Sequence, residues 1–286
     1  MAEGTVAEKA AARSALAEAC DRTVGMYALL AWTWVRAAAR YPVSMFLLSL
    51  SAAAVGALDL AAIVLMFAHT PEIAGFSAIE VVFLYGTSAL AFAVGDVLLG
   101  STERLGRHIR AGTLDPMLVR PVSPLIQIAT EDFSPRRLGK LIPAVAVLAL
   151  VLPRLEAPWD AGRIAMVPVM VLSGAALFSG LWVLTASVQF VLIDGHAATK
   201  SITNGGSFLT QYPMNMFARD LVRGLTFVVP LAFVNWQPTL YVLDRPDPTG
   251  LPEWLRFASP VVAAAVCAVA AAAWRSGLRH YRSTGS

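Results

Sequence analysis

Side chains able to do covalent or metal chemistry are few in this sequence and poorly spaced for it. His69, His108, His196 and His280 stand far apart, with no HExxH pair and no nucleophile elbow. Cys20 lies in a polar segment and Cys267 in an apolar one, with no CxxC or Cys/His spacing, which excludes a disulfide framework and a Cys-based zinc site. A phosphate-cradling loop needs GxxxxGK followed by Ser or Thr. The stretch from Gly195 to Lys200-Ser201 approaches that pattern, but it lacks the second glycine and follows an apolar run rather than a strand. The chain is therefore not read as an enzyme, and no cofactor or metal of its own is expected. Asp59 is the one clear carboxylate in the middle of an apolar run, and intramembrane acids are candidates for proton coupling.

A second kind of chemistry, docking by charge and shape, is concentrated in one stretch. From Glu103 to Gln127 the sequence reads ERLGRHIRAGTLDPMLVRPVSPLIQ. Arg104, Arg107, His108 and Arg110 are predicted on a short helix ended by Gly112, forming a basic surface beside Leu105 and Ile109. Pro116, Pro121 and Pro124 then predict an extended or turn-rich return. Read from the residues alone, this segment is either a docking surface or an ordinary basic loop lying on anionic lipid.

The elements that must hold these residues are set by hydropathy. Apolar residues make up 57% of the chain and charged residues 14%, with mean hydropathy +0.64, which points to a bilayer as solvent. A crossing helix needs about 20 mostly apolar residues. Spans are predicted at 43–68, 79–99, 138–153 (apolar from 141), 164–193 and 257–274, with a loop at 101–137 and a basic tail at 275–286. Residues 23–41 carry Tyr27, Leu30, Trp34 and Val35 at roughly helical spacing before Pro42, and are predicted as an amphipathic helix at the membrane interface. The first 22 residues mix charges with alanines, lack the apolar core of a cleavable signal peptide, and are expected to stay in the cytoplasm as part of an N-terminal unit, 1–42.

Between the fourth and last spans lie two candidates, a weakly apolar 198–217 and a strongly apolar 221–243 interrupted by Pro230 and Pro238. Basic residues constrain the choice. Lys9, Arg13, Arg22, Arg36 and Arg40, the 101–140 cluster (Arg104, Arg107, Arg110, Arg120, Arg136, Arg137, Lys140), Lys200, and Arg275, Arg279 and Arg282 all fall on the inner side if one candidate spans fully. That gives an all-α, polytopic chain of six transmembrane helices with both termini cytoplasmic. Hydropathy by itself favours 221–243 as the fifth span. The net charge of +3 is too small to suggest nucleic acid.

The run Gly112-Thr113-Leu114-Asp115, then Leu118 and Arg120-Pro121-Val122-Ser123-Pro124, resembles the signature of ABC-2 type exporter permeases. More narrowly, it resembles the bacterial family in which paired permeases work with a separate ATPase. Leu84-Tyr85-Gly86, Tyr212-Pro213 and Pro230 to Asn235 follow in the expected order, and the resemblance covers nearly everything from Trp34 to Tyr281. It implies that the loop carries a coupling helix for the ATPase, with Glu103, Arg104, Arg107, His108 and Arg110 as contact surface, Gly112 as its stop, and Asp115 with Arg120 holding the return strand. It also implies that 198–217 is the fifth span, facing the partner permease or the substrate path with Asn204, Phe208, Gln211 and Tyr212. Residues 218–243 then form a re-entrant hairpin from the outer face. The alternative for the polar groups of 198–217 is simple satisfaction inside the bundle.

The partners so implied are an ABC ATPase, in two copies and carrying the ATP and Mg, a second permease that is a different paralogue, and the lipid of a bacterial cytoplasmic membrane. An apolar, aromatic-lined path suits an amphiphilic small molecule, drug, natural product or lipid. The rival reading is a proton-coupled secondary transporter using Asp59, which lacks a second acid and matching inverted halves with broken helices.

Overall fold

The computed structural model describes residues 25–37, 39–131, 135–192 and 196–282, without the side chains of 135, 136 and 196–199. The charged first 22 residues, Cys20, Ile193, Asp194 and Gly195 lie outside the described residues, as do the side chains of Arg136 and His196. Regular structure among the described residues is helical, apart from an isolated bridge between Ile73 and Phe76.

Helix α1 covers 25–37. The long helices are α2 (Pro42–Phe67), α3 (Ala78–Leu99), α8 (Ala161–Val188) and α12 (Ser259–His280), each long and apolar enough to cross a membrane. After α3 come three short helices, α4 (Leu105–Arg110), α5 (Leu114–Leu118) and α6 (Pro124–Thr130), then α7 (Pro135–Val151). After α8 come α9 (His196–Thr210), α10 (Arg219–Phe227) and α11 (Trp236–Val242). At 17 and 15 residues, α7 and α9 stand where the third and fifth spans are expected, but both are shorter than a straight crossing of about 20 residues. The segment around α10 and Leu231–Val242 is bent by 74°, so the strongly apolar 221–243 stretch is not one straight helix. Pro230 lies at the bend, and Pro238 sits in the first turn of α11, where its missing N–H costs nothing.

Helix α8 is the axis of the bundle, packed mainly on α12 and α3, while α7 joins α3 to the more exposed α2. Small residues permit these approaches. A Cβ on Gly174 would meet Ala91 Cβ at 2.9 Å and Val234 O at 3.0 Å, and one on Gly139 would meet the Ser49 Cα at 2.7 Å. At one end of the bundle Asn235, 1% exposed, donates to Leu84 O and Thr210 O, both at 2.9 Å, tying the bent segment to α3 and α9. Arg245 grips Glu80 with two bonds of 2.9 Å at that same end. At the opposite end, Tyr27 of α1 donates to Leu98 O at 2.9 Å. Burial pushes this phenol up to about 12, against the pull of Arg137, so it remains a donor. Elsewhere α1 leaves Leu29, Trp32 and Trp34 exposed, with the Arg36 guanidinium 5.5 Å over the Trp32 ring.

Candidate coupling surface and membrane cavity

The loop between α3 and α7 is a packed block rather than a strand-like excursion. A 3-10 turn, Gly100–Arg104, carries α3 directly into α4. Leu105, Ile109, Leu114 and Ile128 then bury against Val183, Ala186, Ala270 and Trp274 at the ends of α8 and α12. Gly112, at φ +64°, turns the chain out of α4, as a left-handed position favouring glycine should.

The passage expected as extended or turn-rich consists of two short helices joined by turns. Pro116 lies in the first turn of α5 and Pro124 opens α6, positions where no N–H is required, so these prolines start helical turns instead of preventing them. The turn between them closes on the buried Gln127, whose Nε2 donates to Met117 O at 2.9 Å and Val122 O at 2.8 Å. Arg120 reaches the Gln127 Oε1 at 3.4 Å. Asp115 stands beside Tyr281 at the end of α12, and burial with this neighbouring carboxylate raises the phenol above its ordinary range.

Of the residues predicted for the docking surface, Arg107 and Arg110 are exposed and Glu103 and Arg104 partly buried, while Arg120, predicted to hold the return, is also exposed. His108 turns inward: its Nε2 lies 2.7 Å from Glu131 Oε2 and its Nδ1 2.9 Å from Thr113 Oγ1. Helical spacing explains this, because His108 shares the face of Leu105 and Ile109. Burial holds the imidazole below its ordinary range, aided by Arg107 and Arg104 and opposed by Glu131. The outermost apolar residues are Leu118, which belongs to the sequence motif, and Val119, which does not; they are 42% and 84% exposed between Arg110 and Arg120.

Two further residues escaped the sequence reading. Gln189, fully buried just past α8, accepts the Gly106 N–H at 2.7 Å and donates to Glu103 O at 3.2 Å. Gln127 is the other. Each is an amide flanked by apolar residues, Ile126 and Ile128 in one case and Val188 and Phe190 in the other, and that pattern is the available signal.

Within the helical part, a cavity of about 430 Å³ opens between α2, α3, α7 and α9. Asp59, Asn204, Phe208 and Gln211 all line it, so residues predicted separately for a path converge on one space. Tyr85 lines it too, donating to Gly56 O at 2.8 Å. Tyr212 is partly buried close by, within electrostatic reach of Asp59. Glu103 and Arg104 face a smaller polar cavity of about 200 Å³ with Asp96, Arg137, Lys140 and Lys200. There Asp96 pairs with Arg137 at 3.3 Å and Lys140 at 2.8 Å, and Arg137 also donates to Ser101. Among the described residues no three His, Cys, Asp or Glu side chains converge as metal ligands.

The surface and the cavity thus occupy one chain, joined by the ends of α3, α7 and α8. In comparison with known proteins, the chain matches the family described as ABC-2 family transporter protein over residues 53–285. No curated protein and no solved structure matches the chain.

Proposed function

Because the chain belongs to the ABC-2 family of transporter proteins, a multi-pass membrane component rather than a catalyst, we propose that it is the permease subunit of an exporter driven by a separate ATPase. In this reading α7 and α9 complete six crossings with the four long helices, and the bent α10–α11 segment re-enters from the outer face. Helix α1 lies at the inner interface, and both termini face the cytoplasm of a bacterial cell bounded by this membrane. ATP and Mg belong to the ATPase, present in two copies. A second, paralogous permease closes the path by covering the side of the cavity between α2 and α9.

The observation that carries the reading is the block from Gly100 to Glu131, anchored by Leu105, Ile109, Leu114 and Ile128 to the ends of α8 and α12. A docked ATPase would press on Arg107, Arg110, Leu118, Val119 and Arg120, and a packed block moves as a unit because interiors deform little. Glu103, Arg104 and His108 then act from inside the block, fixing its pose, with Gly112 setting the turn and Asp115 the contact with α12. The cavity lined by Asp59, Asn204, Phe208 and Gln211 would hold an amphiphilic cargo, such as a drug, natural product or lipid.

The test is co-expression with a neighbouring ATPase gene. Co-purification, with ATP-dependent transport into inverted vesicles, is expected. Transport by this chain alone, in ATP-free vesicles under a pH gradient, would instead establish the proton-coupled reading, which Asp59 at the cavity wall favours.

A further inference from the structure

Asp59 is the carboxylate in the wall of the cavity between α2, α3, α7 and α9. Ser51, Ala52, Val55, Gly56 and Asp59 recur at helical spacing, so the acid belongs to the face that α2 turns to the cavity. Among the described residues Asp59 has neither a hydrogen bond nor an ion pair. Lys140 is the cation among the described lining residues, but Asp96 holds it at 2.8 Å and it lies 5.3 Å over the Phe92 ring. It is also remote from the acid. Its neighbour Gly139 meets α2 at Ser49, and Asp59 follows ten residues later, about 15 Å farther along the helix axis.

The acid's neighbours are aromatic. Tyr85 donates its hydroxyl to Gly56 O at 2.8 Å, one turn before Asp59 on the same face of α2. Tyr212 stands within electrostatic reach of the carboxylate, and Phe208, 52% exposed, lines the same space. An intramembrane carboxylate is costly alone and marks a path for substrate or ion. Joined to aromatic faces, it forms the set that binds an organic ammonium: the acid supplies the opposite charge, and the rings attract a cation through their negative faces. A neutral cargo would leave the acid desolvated and unpaired, and an anionic one would be repelled.

We propose that this cavity selects organic cations, with Asp59 pairing with the ammonium head of an amphiphilic cargo, Tyr85 and Phe208 beside it, and Val55, Ala89 and Ala144 along the apolar part. The inference rests on the permease reading and narrows its cargo to one charge class. A space of about 430 Å³ suits a drug-sized molecule.

The probes are octyltrimethylammonium, octyl sulfate and octanol, titrated calorimetrically against the full chain in phosphatidylcholine nanodiscs, with the heats of empty nanodiscs subtracted. The cation is expected to bind about ten-fold or more tightly than either of the others. Asp59→Asn should remove that preference, and Asp59→Glu should retain it. Equal binding of octyltrimethylammonium and octyl sulfate by the unmodified chain overturns the assignment, whether or not a variant folds. A preference undiminished in Asp59→Asn overturns it as well. Loss of the preference leaves ATPase coupling untouched, and failure of that coupling leaves the preference standing, so the two readings fall separately.

Discussion

Gly106 donates its backbone N–H to the Gln189 Oε1 at 2.7 Å, joining the loop's first α-helix to the end of the central helix of the bundle. The same amide donates onward to Glu103 O at 3.2 Å, so one side chain spans the 3-10 turn and α4. A push on α4 therefore reaches α8 through a buried polar clamp as well as through apolar contact.

Replacing Gln189 by Leu removes both bonds and leaves the Gly106 N–H buried without its partner. A loss of about 1–3 kcal/mol in loop docking is expected. Amide exchange in residues 100–112 should rise about ten-fold or more, while membrane insertion is unaffected. Unchanged exchange would show that the apolar contacts of Leu105 and Ile109 suffice.

Charge reversal at Arg107 and Arg110, both exposed, is expected to uncouple ATP hydrolysis from transport without changing expression or topology. Val119→Asp should act in the same direction by placing a charge in the middle of the contact. If hydrolysis per transported molecule is unaltered in these variants, the surface belongs to lipid headgroups.

The pH dependence of the loop follows from His108. Its pKa in the folded loop lies below the ordinary 6.5, so the undocked loop binds the extra proton more readily. Docking is fully present above the ordinary value and is lost as pH falls below it. Protease nicking within 101–131 should increase from pH 7.5 to pH 5.5. In His108→Gln that increase should be largely absent.

At saturating cargo, Asp59→Asn should leave ATP-driven transport largely intact, because under the exporter reading the carboxylate lines the cavity without carrying the driving proton. Transport abolished by this change, together with loss of dependence on a pH gradient, would transfer the function to proton coupling.

Gly139→Ala drives a methyl group into the Ser49 backbone. Overpacking of about 1–3 kcal/mol is expected, read as a lowered unfolding temperature, because a backbone cannot yield as a side chain can. Since α2 packs chiefly on α7, the variant should also loosen the wall that carries Asp59.

Much of the fold was legible beforehand because crossing a membrane is a property of each segment by itself. Length and hydropathy picked out the helices α2, α3, α8 and α12 as long apolar segments, with ends up to six residues from the expected bounds, and the family was readable from the ordered motifs around Gly112 to Pro124. Where α7 and α9 stop short, local polarity was already diluting the signal, as with Asn204 and Gln211.

What the sequence determined by itself, then, was an all-helical membrane protein of this family, with Gly112 closing the helix of a basic loop. Only the tertiary structure decided which way its polar residues face. His108 sits in a basic run and Gln189 at a span end, yet both are buried, because orientation depends on what packs against each helix. Asp59 and Asn204 meet across one cavity, and Arg104 and Lys200 across another, although each pair is remote in sequence. Such pairings arise from contact between helices, and a segment's own hydropathy carries no record of its neighbour.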